Sequence, residues 1–400
     1  MRILIAHEAA AGGGGVESYL AALIPALAAR GHQLAFLHHN PRSEQGPTRL
    51  EHAGMPAVSV SDDGLDGAVD RMRTWRPDVC FSHNMRQLDV EERLASEWPV
   101  VKMMHGYFGT CIGGQKAHAF PGVVPCVREF GPPCLALYLP RRCGRRRPLV
   151  MFEEYGWASR QRALFDRYAQ IVVASRHMAE EYGRHGIEAG RLTAAPLFPT
   201  EREPVSTRTL PAHLTVVFAG RMTRIKGGAV LVHAAAVANR LLPMPLRLIF
   251  AGEGPEQERW RGLALSLGVN ATFAGWVSGP ERTAVLRSAS IVAVPSLWPE
   301  PFGLVGLEAA AHGVPAVAFD VGGIREWLQD GVGGRMVREV DDAGALGRMI
   351  ADMCSKPAEL TRLGDGARRT ARALSIDAHL DILERVFSRA VAVAPRTVLA

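Results

Sequence analysis

Short apolar runs alternate along this chain with longer segments in which apolar residues recur every three or four positions. Buried parallel strands have continuous apolar sequences and surface helices have the 3.6-residue period, so the pattern predicts repeated strand–helix units of an α/β protein. In the first half, strands are predicted at 2–7, 33–39, 57–60, 78–83, 99–105 and 171–175. A second series is predicted at 214–220, 246–252, 271–275, 291–296 and 315–320.

Two series of strands predict two doubly wound, Rossmann-like domains that face each other across a cleft. The length of 400 residues allows two cores of ordinary size. The stretch 196–213 is rich in proline and polar residues and follows neither period, so we interpret it as the linker. We expect an N-terminal domain at 1–197 with an insertion at about 106–157, and a C-terminal domain at 198–375. A last helix, predicted over 376–394 within the segment 376–400, is expected to pack back on the N-terminal domain.

Composition narrows the class of protein. Hydrophobic residues make up 48% of the chain and charged residues 22%, and no apolar run reaches the roughly 18 residues of a membrane span. A strand predicted directly after Met1 leaves no room for a secretory leader, so we expect a cytoplasmic protein. The net charge of +6 is spread over 46 basic and 40 acidic residues, which excludes a nucleic-acid-binding arm and suits a nucleotide, a phosphate or an anionic membrane surface.

The first motif is the glycine-rich stretch "AAAGGGGVESYL", residues 9–20, which follows the first predicted strand. It leads into a helix with a regular apolar stripe, so Gly14 and Gly15 lie in the turn, where free amides and the helix dipole favour an anion. A flexible turn without a ligand is the alternative. A dinucleotide fingerprint fits poorly, because the glycine spacing is irregular and no acid follows the second strand.

The second motif, "VFAGRMTRIKGG", follows the first strand of the second series. Arg221 and Lys226 lie five residues apart across a turn, so both side chains can converge on one anion, and the glycines after them permit its close approach. An exposed basic turn is the alternative.

The third motif, "SLWPEPFGLVGLEAAAHGVPAVAFDVGG", begins at residue 296. Glu300 precedes Pro301 and is therefore restricted to extended geometry in a loop. Pro301 suits the first turn of a helix, after which three unpaired amides would meet an anion. These are the amides of Phe302, Gly303 and Leu304.

Glu308 falls more than one turn into the same predicted helix. There a carboxylate can accept hydrogen bonds from two neighbouring hydroxyls of a sugar ring. The motif thus predicts a phosphate site between two carboxylates that bind polyols, which fits a nucleotide sugar. In the alternative, Glu300 only caps the helix and Glu308 is solvated.

These motifs together carry a resemblance to a known family. "GRMTRIKGG", "LIFAGEGPE", "FAGWVS" and "PEPFGLVGLEAAAHGVPAVAFDVGGIREWLQDGVGG" resemble the retaining glycosyltransferases of family 4, which have the GT-B fold. The resemblance is specific over 216–334 and looser over 1–110. It implies transfer of a sugar from a nucleoside-diphosphate sugar to a hydroxyl acceptor, with the charge of the departing diphosphate stabilised by the protein and with no divalent metal in the donor site.

The resemblance also implies roles for single residues. Arg221 and Lys226 would hold the diphosphate, Glu308 the ribose hydroxyls and Glu300 hydroxyls of the transferred sugar. The amides of residues 302–304 would meet sugar and phosphate. Near the nucleoside, the resemblance places Glu253, Gly254 and Val277. In the first domain it places Gly14, Gly15 and His105 at the reacting centre. A histidine at a strand end is as often structural, and this alternative stays open for His105.

Four of the six cysteines fall in one stretch after His105, namely Cys111, Cys126, Cys134 and Cys143. Cytoplasmic thiols clustered in this way are more often metal ligands than disulfides, and a subgroup of family 4 has a similar set. A structural zinc or iron–sulfur site is therefore one interpretation. Four free thiols are the other, because no Cys-x-x-Cys pair is present.

The acceptor is not readable from these residues. The segment "LALYLPRRCGRRRP" combines apolar residues with five arginines, and it could dock on an anionic membrane, peripherally at its inner face, grip an acceptor diphosphate or form a solvated face. Its arginines are Arg141, Arg142, Arg145, Arg146 and Arg147. Two further functions remain open beside a bacterial sugar transferase for polysaccharide, glycolipid or glycosylated-metabolite synthesis: a nucleotide-sugar epimerase of the same fold, and a non-catalytic nucleotide-sugar binding protein.

Overall fold

A computed structural model describes residues 1–41, 46, 48–50, 52–145, 147–200 and 210–393. Residues 201–209 of the predicted linker, Arg146 and the last residues of the predicted C-terminal segment lie outside the described residues. The chain divides into two compact units. Unit 1 comprises 1–115, 128–196 and 376–400, and unit 2 comprises 116–127 and 197–375.

Unit 1 is built on a sheet of seven parallel strands in the order β11-β10-β7-β6-β1-β3-β5. The strands are β1 (Arg2–His7), β3 (Gln33–His38), β5 (Ala57–Ser59), β6 (Val79–Ser82), β7 (Val100–Met104), β10 (Gln170–Val173) and β11 (Leu192–Ala194). A small antiparallel ribbon pairs β2 (Ala11–Gly12) with β4 (Thr48–Arg49). The chain builds the sheet outward from β1 in one direction and from β6 in the other, so the topological switch point lies between β1 and β6.

The helices of unit 1 connect these strands and cover the sheet. They are α1 (Gly15–Ala29), α2 (Val60–Asp63), α3 (Leu65–Trp75), α4 (Leu88–Glu97), α5 (Pro133–Arg141), α6 (Pro148–Ala163), α7 (Arg176–Arg184) and, from the end of the chain, α14 (Ile376–Val393).

Unit 2 has a sheet of six parallel strands in the order β14-β13-β12-β15-β16-β17. The strands are β12 (Thr215–Ala219), β13 (Arg247–Ala251), β14 (Ala271–Gly275), β15 (Ile291–Val294), β16 (Ala316–Phe319) and β17 (Gly334–Val337). Its switch point lies between β12 and β15. The segment 116–127 contributes an antiparallel ribbon of β8 (Ala117–His118) and β9 (Val124–Pro125).

The helices of unit 2 are α8 (Gly228–Leu241), α9 (Gln257–Ser266), α10 (Gly279–Arg287), α11 (Leu304–Ala311), α12 (Ala343–Cys354) and α13 (Pro357–Ala373). Both sheets are flanked by helices, so their central strands are buried on both faces, as the continuous apolar runs predict. The prediction of two parallel α/β units is therefore confirmed. Two edge strands, β11 and β17, were not predicted.

Helix α14 packs on the core of unit 1. Its apolar face is buried, and the Phe387 ring lies 5.1 Å from the Phe81 ring. The Tyr19 hydroxyl and His379 Nε2 are 2.8 Å apart, and His379 Nδ1 lies 2.8 Å from the carbonyl oxygen of Pro196. Apolar burial supplies most of the stabilisation, while these hydrogen bonds satisfy polar groups that would otherwise be costly inside.

Candidate functional site

The loops after β12 and β15 meet at the switch point of unit 2, where ligands of doubly wound sheets bind. Lys226 comes from the first loop and Glu300 from the second, and Lys226 Nζ lies 2.5 Å from Glu300 Oε1. The Ser296 hydroxyl donates to the same carboxylate oxygen, also at 2.5 Å. Glu300 is buried and Lys226 is half-buried, so the pair combines a held carboxylate with a cation that solvent can still reach.

Gly227 lets the two loops approach this closely. Its φ is +73°, in the left-handed region, and a Cβ built on it would lie 1.8 Å from the carbonyl oxygen of Pro295. Any other residue would push the two loops apart. The glycine next to Lys226 is therefore a condition for the contact between Lys226 and Glu300.

A second glycine holds Glu300 from the other side. Gly322 has a φ of +56°, and a Cβ on it would lie 2.3 Å from the carbonyl oxygen of Glu300. That carbonyl oxygen accepts a hydrogen bond of 2.7 Å from the N–H of Gly323. The backbone of Glu300 is thus fixed in its loop by contacts with Gly322 and Gly323.

Helix α11 begins later than the position of Pro301 predicts. The helix starts at Leu304, and Gly303 precedes it with a φ of +82°. Phe302 is buried, and its carbonyl oxygen accepts a 2.7 Å hydrogen bond from Trp327 Nε1. Of the three predicted amides, only that of Leu304 lies in the first turn of α11, while Phe302 and Gly303 precede the helix. An anion site at these amides stays a prediction.

Glu308 lies inside α11, as predicted, but it is neither solvated nor free for hydroxyls. It is buried, and Arg282 binds both carboxylate oxygens, with 2.8 Å between Arg282 Nη1 and Glu308 Oε1. The Thr200 hydroxyl donates to Oε1 at 3.0 Å. The solvated alternative is therefore wrong, and so is helix capping by Glu300, since the residue before α11 is Gly303 and no side chain caps the helix.

Arg221 lies two residues after the end of β12 and is exposed. Among the described residues, the Arg221 side chain forms no hydrogen bond or ion pair. Exposed in this way, it can turn toward an anion together with Lys226.

The residues assigned to the nucleoside by resemblance lie on neighbouring loops of unit 2. The N–H of Met222 donates to the carbonyl oxygen of Glu253 at 2.8 Å, and a Cβ on Gly254 would lie 2.4 Å from the carbonyl oxygen of Met222. The N–H of Trp276, next to Val277, lies 3.4 Å from Glu253 Oε1. These contacts tie the loops after β12, β13 and β14 into one edge of the sheet.

In unit 1, histidines end three adjacent strands. His7 closes β1, His83 follows β6 and His105 follows β7. His83 Nδ1 lies 3.0 Å from His105 Nε2. Burial lowers the pKa of His105 to about 3 and places that of His83 well below its usual range, so both rings are neutral at physiological pH.

The glycine turn of unit 1 differs from its prediction. Gly14 precedes α1, and its N–H donates to Glu17 Oε2 at 2.8 Å, so this amide is not free for an anion. Glu17 Oε1 also lies 3.3 Å from His7 Nε2, and this bond is the largest cause that lowers the pKa of Glu17 to about 2. A carboxylate of the protein therefore already occupies this helix terminus, whereas Gly15 at the first position of α1 is open.

The metal site predicted at the clustered cysteines stays a prediction. Among the described residues, no group of three or more His, Cys, Asp or Glu side chains is arranged to hold a metal ion. Cys134 and Cys143 pack against an apolar cluster of unit 1, and Cys126 belongs to unit 2. Cys134 and Cys143 thus serve as small, soft packing residues, and the zinc or iron–sulfur interpretation is not confirmed.

The arginine-rich segment connects α5 to α6. Arg141, Arg145 and Arg147 are exposed, as are the apolar side chains of Leu149 and Phe152 in the first turns of α6. In the described ranges, no helix is both long and apolar enough to span a membrane.

Several residues of these sites were missed from the sequence. Ser296 and Arg282 were missed because nothing local marks them as partners of a distant carboxylate. The histidines had a signal that was not used: "RILIAH", "DVCFSH" and "PVVKMMH" are predicted parallel strands that each end in histidine. Carboxyl ends of parallel strands share one edge, so such residues are expected to meet.

Comparison with known proteins agrees with these geometries. The family model "Glycosyltransferase Family 4" matches residues 13–198, and "Glycosyl transferases group 1" matches residues 213–356. The D-inositol 3-phosphate glycosyltransferase of Rhodococcus erythropolis is 37% identical over 193 residues, 45% of this chain and 42% of that protein. Its counterpart from Paenarthrobacter aurescens is 27% identical over 340 residues, 81% of this chain and 80% of that protein. The chain thus spans less than half the length of the Rhodococcus relative.

Solved structures show the same fold. Sucrose-phosphate synthase from Thermosynechococcus elongatus aligns with a TM-score of 0.69 at 20% identity, covering 98% of this chain and 100% of the other. Anabaena HepE, solved with UDP and glucose, aligns with a TM-score of 0.67 at 16% identity, covering 97% and 100%. With two family matches that together span most of its length and two Rossmann-like units of the GT-B type, this chain belongs to glycosyltransferase family 4.

Proposed function

We propose that this chain is a retaining glycosyltransferase that moves a sugar from a nucleoside-diphosphate sugar to a hydroxyl acceptor, in bacterial polysaccharide, glycolipid or glycosylated-metabolite synthesis. The observation on which the proposal rests is the pair of Lys226 and Glu300 at the switch point of unit 2. One is a cation suited to a diphosphate and the other is a buried carboxylate suited to sugar hydroxyls.

The cations act on the leaving group. Departure of the nucleoside diphosphate develops negative charge on its phosphate oxygens. Lys226 is held between the Glu300 carboxylate and the Trp298 ring, whose centre lies 5.4 Å from Nζ, so its ammonium group needs little reorganisation to meet that charge. Arg221 and the amides of residues 302–304 would add donors on the same diphosphate.

The carboxylates act on hydroxyls. Glu300 would accept hydrogen bonds from the transferred sugar and orient its anomeric carbon. Glu308 would bind the ribose, and because Arg282 and Thr200 contact its carboxylate, ribose binding requires that one of these contacts rearranges. We assign neither carboxylate as a nucleophile. Retention would follow from attack on the face that the leaving group departs from, with a donor phosphate oxygen taking the acceptor proton.

The similar proteins support a nucleotide-sugar donor. Anabaena HepE was solved with UDP-glucose, and the lipopolysaccharide outer core galactosyltransferase WaaB shares the fold with a TM-score of 0.63. The relatives named for D-inositol 3-phosphate act on a polyol acceptor by their names. UDP-glucose is therefore the first donor to test.

The test is release of nucleoside diphosphate by Glu300→Gln, with UDP-, GDP- and ADP-glucose offered in turn and water or added polyols as acceptor. Loss of a hydrogen bond to a charged group corresponds to roughly 10- to 100-fold in rate. Glu258→Gln is the matched control, because Glu258 lies in the same unit and its side chain is 80% exposed. Near-full turnover by Glu300→Gln would remove Glu300 from the sugar site.

A further inference from the structure

The connection between α5 and α6 concentrates positive charge on unit 1. Residues 139–153 contain five arginines and a single acid, Glu153, in a chain whose basic and acidic residues are nearly equal in number. Arg141 ends α5, Arg145 lies in the connection and Arg147 directly precedes α6. All three side chains are exposed, and the donor site in unit 2 uses none of them.

The protein itself does not neutralise these three cations. Among the described residues, no ion pair involves Arg141, Arg145 or Arg147. Elsewhere in unit 1 an exposed arginine does pair, as Arg160 does with Asp89 at 2.6 Å. Like charges that are gathered on one surface repel one another, and an external anion offsets that repulsion.

Large apolar side chains are exposed next to these arginines. Leu149 is 77% exposed and Phe152 is 59% exposed, and the two lie three residues apart in the first turns of α6, where they are neighbours on the helix surface. Met151 and Ala158, by contrast, face the apolar cluster of unit 1. Single exposed apolar residues are normal, but adjoining ones with a polar rim are typical of an interaction site.

The two helices hold this surface firmly. Tyr138 of α5 and Met151 of α6 belong to the same buried cluster, and the Tyr138 hydroxyl donates to Glu154 Oε2 at 2.7 Å. A Cβ on Gly144, in the connection, would lie 2.4 Å from the Tyr138 hydroxyl oxygen and 2.7 Å from Glu154 Oε2, so the connection packs closely on both helices. The cations and the apolar side chains are therefore presented together before a partner arrives, which lowers the cost of binding.

The combination of charge and apolar surface favours a bilayer over other anionic partners. Exposed cations alone suit any polyanion, and the pair of Leu149 and Phe152 would add little to the binding of a free phosphate or a nucleic-acid backbone. At a bilayer, this pair would enter the boundary between headgroups and acyl chains, while the arginines meet lipid phosphates. Such attachment strengthens both with the apolar area inserted and with the attraction to anionic lipids.

We propose that the α5–α6 surface, formed by Arg141, Arg145, Arg147, Leu149 and Phe152, attaches the protein peripherally to an anionic lipid bilayer. The proposal goes beyond the proposed function, because it assigns a partner to unit 1 and does not depend on which nucleotide or sugar unit 2 binds.

The test is cosedimentation of the full chain with phosphatidylcholine vesicles that contain or lack phosphatidylglycerol. We expect binding only to the vesicles that contain the anionic lipid. Binding should weaken when the salt concentration is raised from about 0.1 M to about 1 M, because the Debye length falls from about 10 Å to about 3 Å. Heparin, a soluble polyanion without an apolar phase, is the comparison ligand.

The first variant, Arg141→Gln/Arg145→Gln/Arg147→Gln, removes the cations of the surface. It should bind the anionic vesicles about 100-fold more weakly, because each cation near an anionic bilayer contributes about fivefold. The matched control makes the same change at three exposed arginines of α12 and α13 in unit 2, namely Arg348, Arg369 and Arg372. This control removes the same charge elsewhere and should keep most of the vesicle binding.

The second variant, Leu149→Ser/Phe152→Ser, removes the apolar pair and should weaken vesicle binding about tenfold. Its matched control is Met244→Ser/Leu265→Ser in unit 2, where the two side chains are 58% and 77% exposed, and this control should bind as the wild type does. All substituted side chains are exposed, so the urea unfolding midpoints should stay unchanged and nucleotide binding by unit 2 should be retained.

The proposal is overturned if the wild-type chain does not bind vesicles that contain phosphatidylglycerol, or if binding survives both sets of substitutions. It is also overturned if Leu149→Ser/Phe152→Ser binds vesicles as the wild type does while heparin and vesicle binding both depend on the arginines, since the surface is then a general polyanion site. Loss of nucleotide binding by the wild-type chain would instead contradict the proposed transferase function, because the donor residues all lie in unit 2.

Discussion

Gly227→Ala offers a quantitative test of how the donor site is built. A non-glycine residue in the left-handed region costs about 1–2 kcal/mol. The new Cβ would also lie 1.8 Å from the carbonyl oxygen of Pro295, far inside van der Waals contact, so one loop must move by more than 1 Å. Overpacking of this kind adds about 1–3 kcal/mol, which gives a total loss of about 2–5 kcal/mol in the free energy of unfolding of unit 2.

Gly331→Ala separates the cost of the left-handed backbone conformation from the steric cost of the new Cβ. Gly331 belongs to the same unit and has nearly the same φ, +74°, but a Cβ there meets nothing within 4 Å. It should therefore lose only the conformational part, about 1–2 kcal/mol. Urea unfolding of both variants, followed by circular dichroism, measures the difference.

A second readout is nucleotide binding under conditions where both variants are folded. Gly227→Ala should lose it, because displacement of either loop separates Lys226 from Glu300, while Gly331→Ala should keep it. Equal stabilities of the two variants, or unchanged nucleotide affinity in Gly227→Ala, would refute the idea that close loop approach builds the site.

Two further predictions concern the buried ionisable groups. Burial lowers the pKa of His105 to about 3 and the pKa of His379 to about 4, so below pH 6.5 these histidines bind protons in the unfolded chain but not in folded unit 1. The free energy of unfolding should therefore fall as the pH is lowered, by up to about 1.4 kcal/mol per pH unit for each histidine. A midpoint of urea unfolding that stays constant from pH 7 to pH 5 would contradict this prediction. Arg282→Ala should destabilise unit 2 by about 1–3 kcal/mol, because it strips the buried Glu308 of its cation, whereas the exposed Arg259→Ala should change the thermal midpoint little.

The sequence predicts the two sheets well because central parallel strands are continuous apolar runs. It does not predict β11 and β17, which are edge strands: Leu192–Ala194 is only partly buried, and Gly334–Val337 contains a glycine and an arginine. The other two edge strands, β5 and β14, are predicted, so β11 and β17 are missed because their own sequences lack a continuous apolar run.

Among the site residues, too, those constrained by their local sequence are predicted and those defined by distant contacts are not. The position of Glu300 in a loop and of Glu308 inside a helix could be predicted, because proline, glycine and helix position constrain them locally. Their partners could not, since Arg282 lies 26 residues from Glu308 and Ser296 is an ordinary serine in sequence. At the glycine turn, the start of the helix was predicted correctly. The anion site predicted there was not, because the Gly14 amide already donates to the Glu17 carboxylate.

The measurement that tests the central claim most directly is the binding of UDP, GDP, ADP and their glucose conjugates to the purified chain, by thermal shift and calorimetry, repeated with Lys226→Ala. Lys356→Ala is the control, because Lys356 is an exposed lysine of the same unit. We predict that one nucleotide series raises the melting temperature of the wild-type chain and of Lys356→Ala, and that Lys226→Ala loses this shift. A folded wild-type chain that binds none of these nucleotides, or a Lys226→Ala variant that binds them unchanged, would contradict the account.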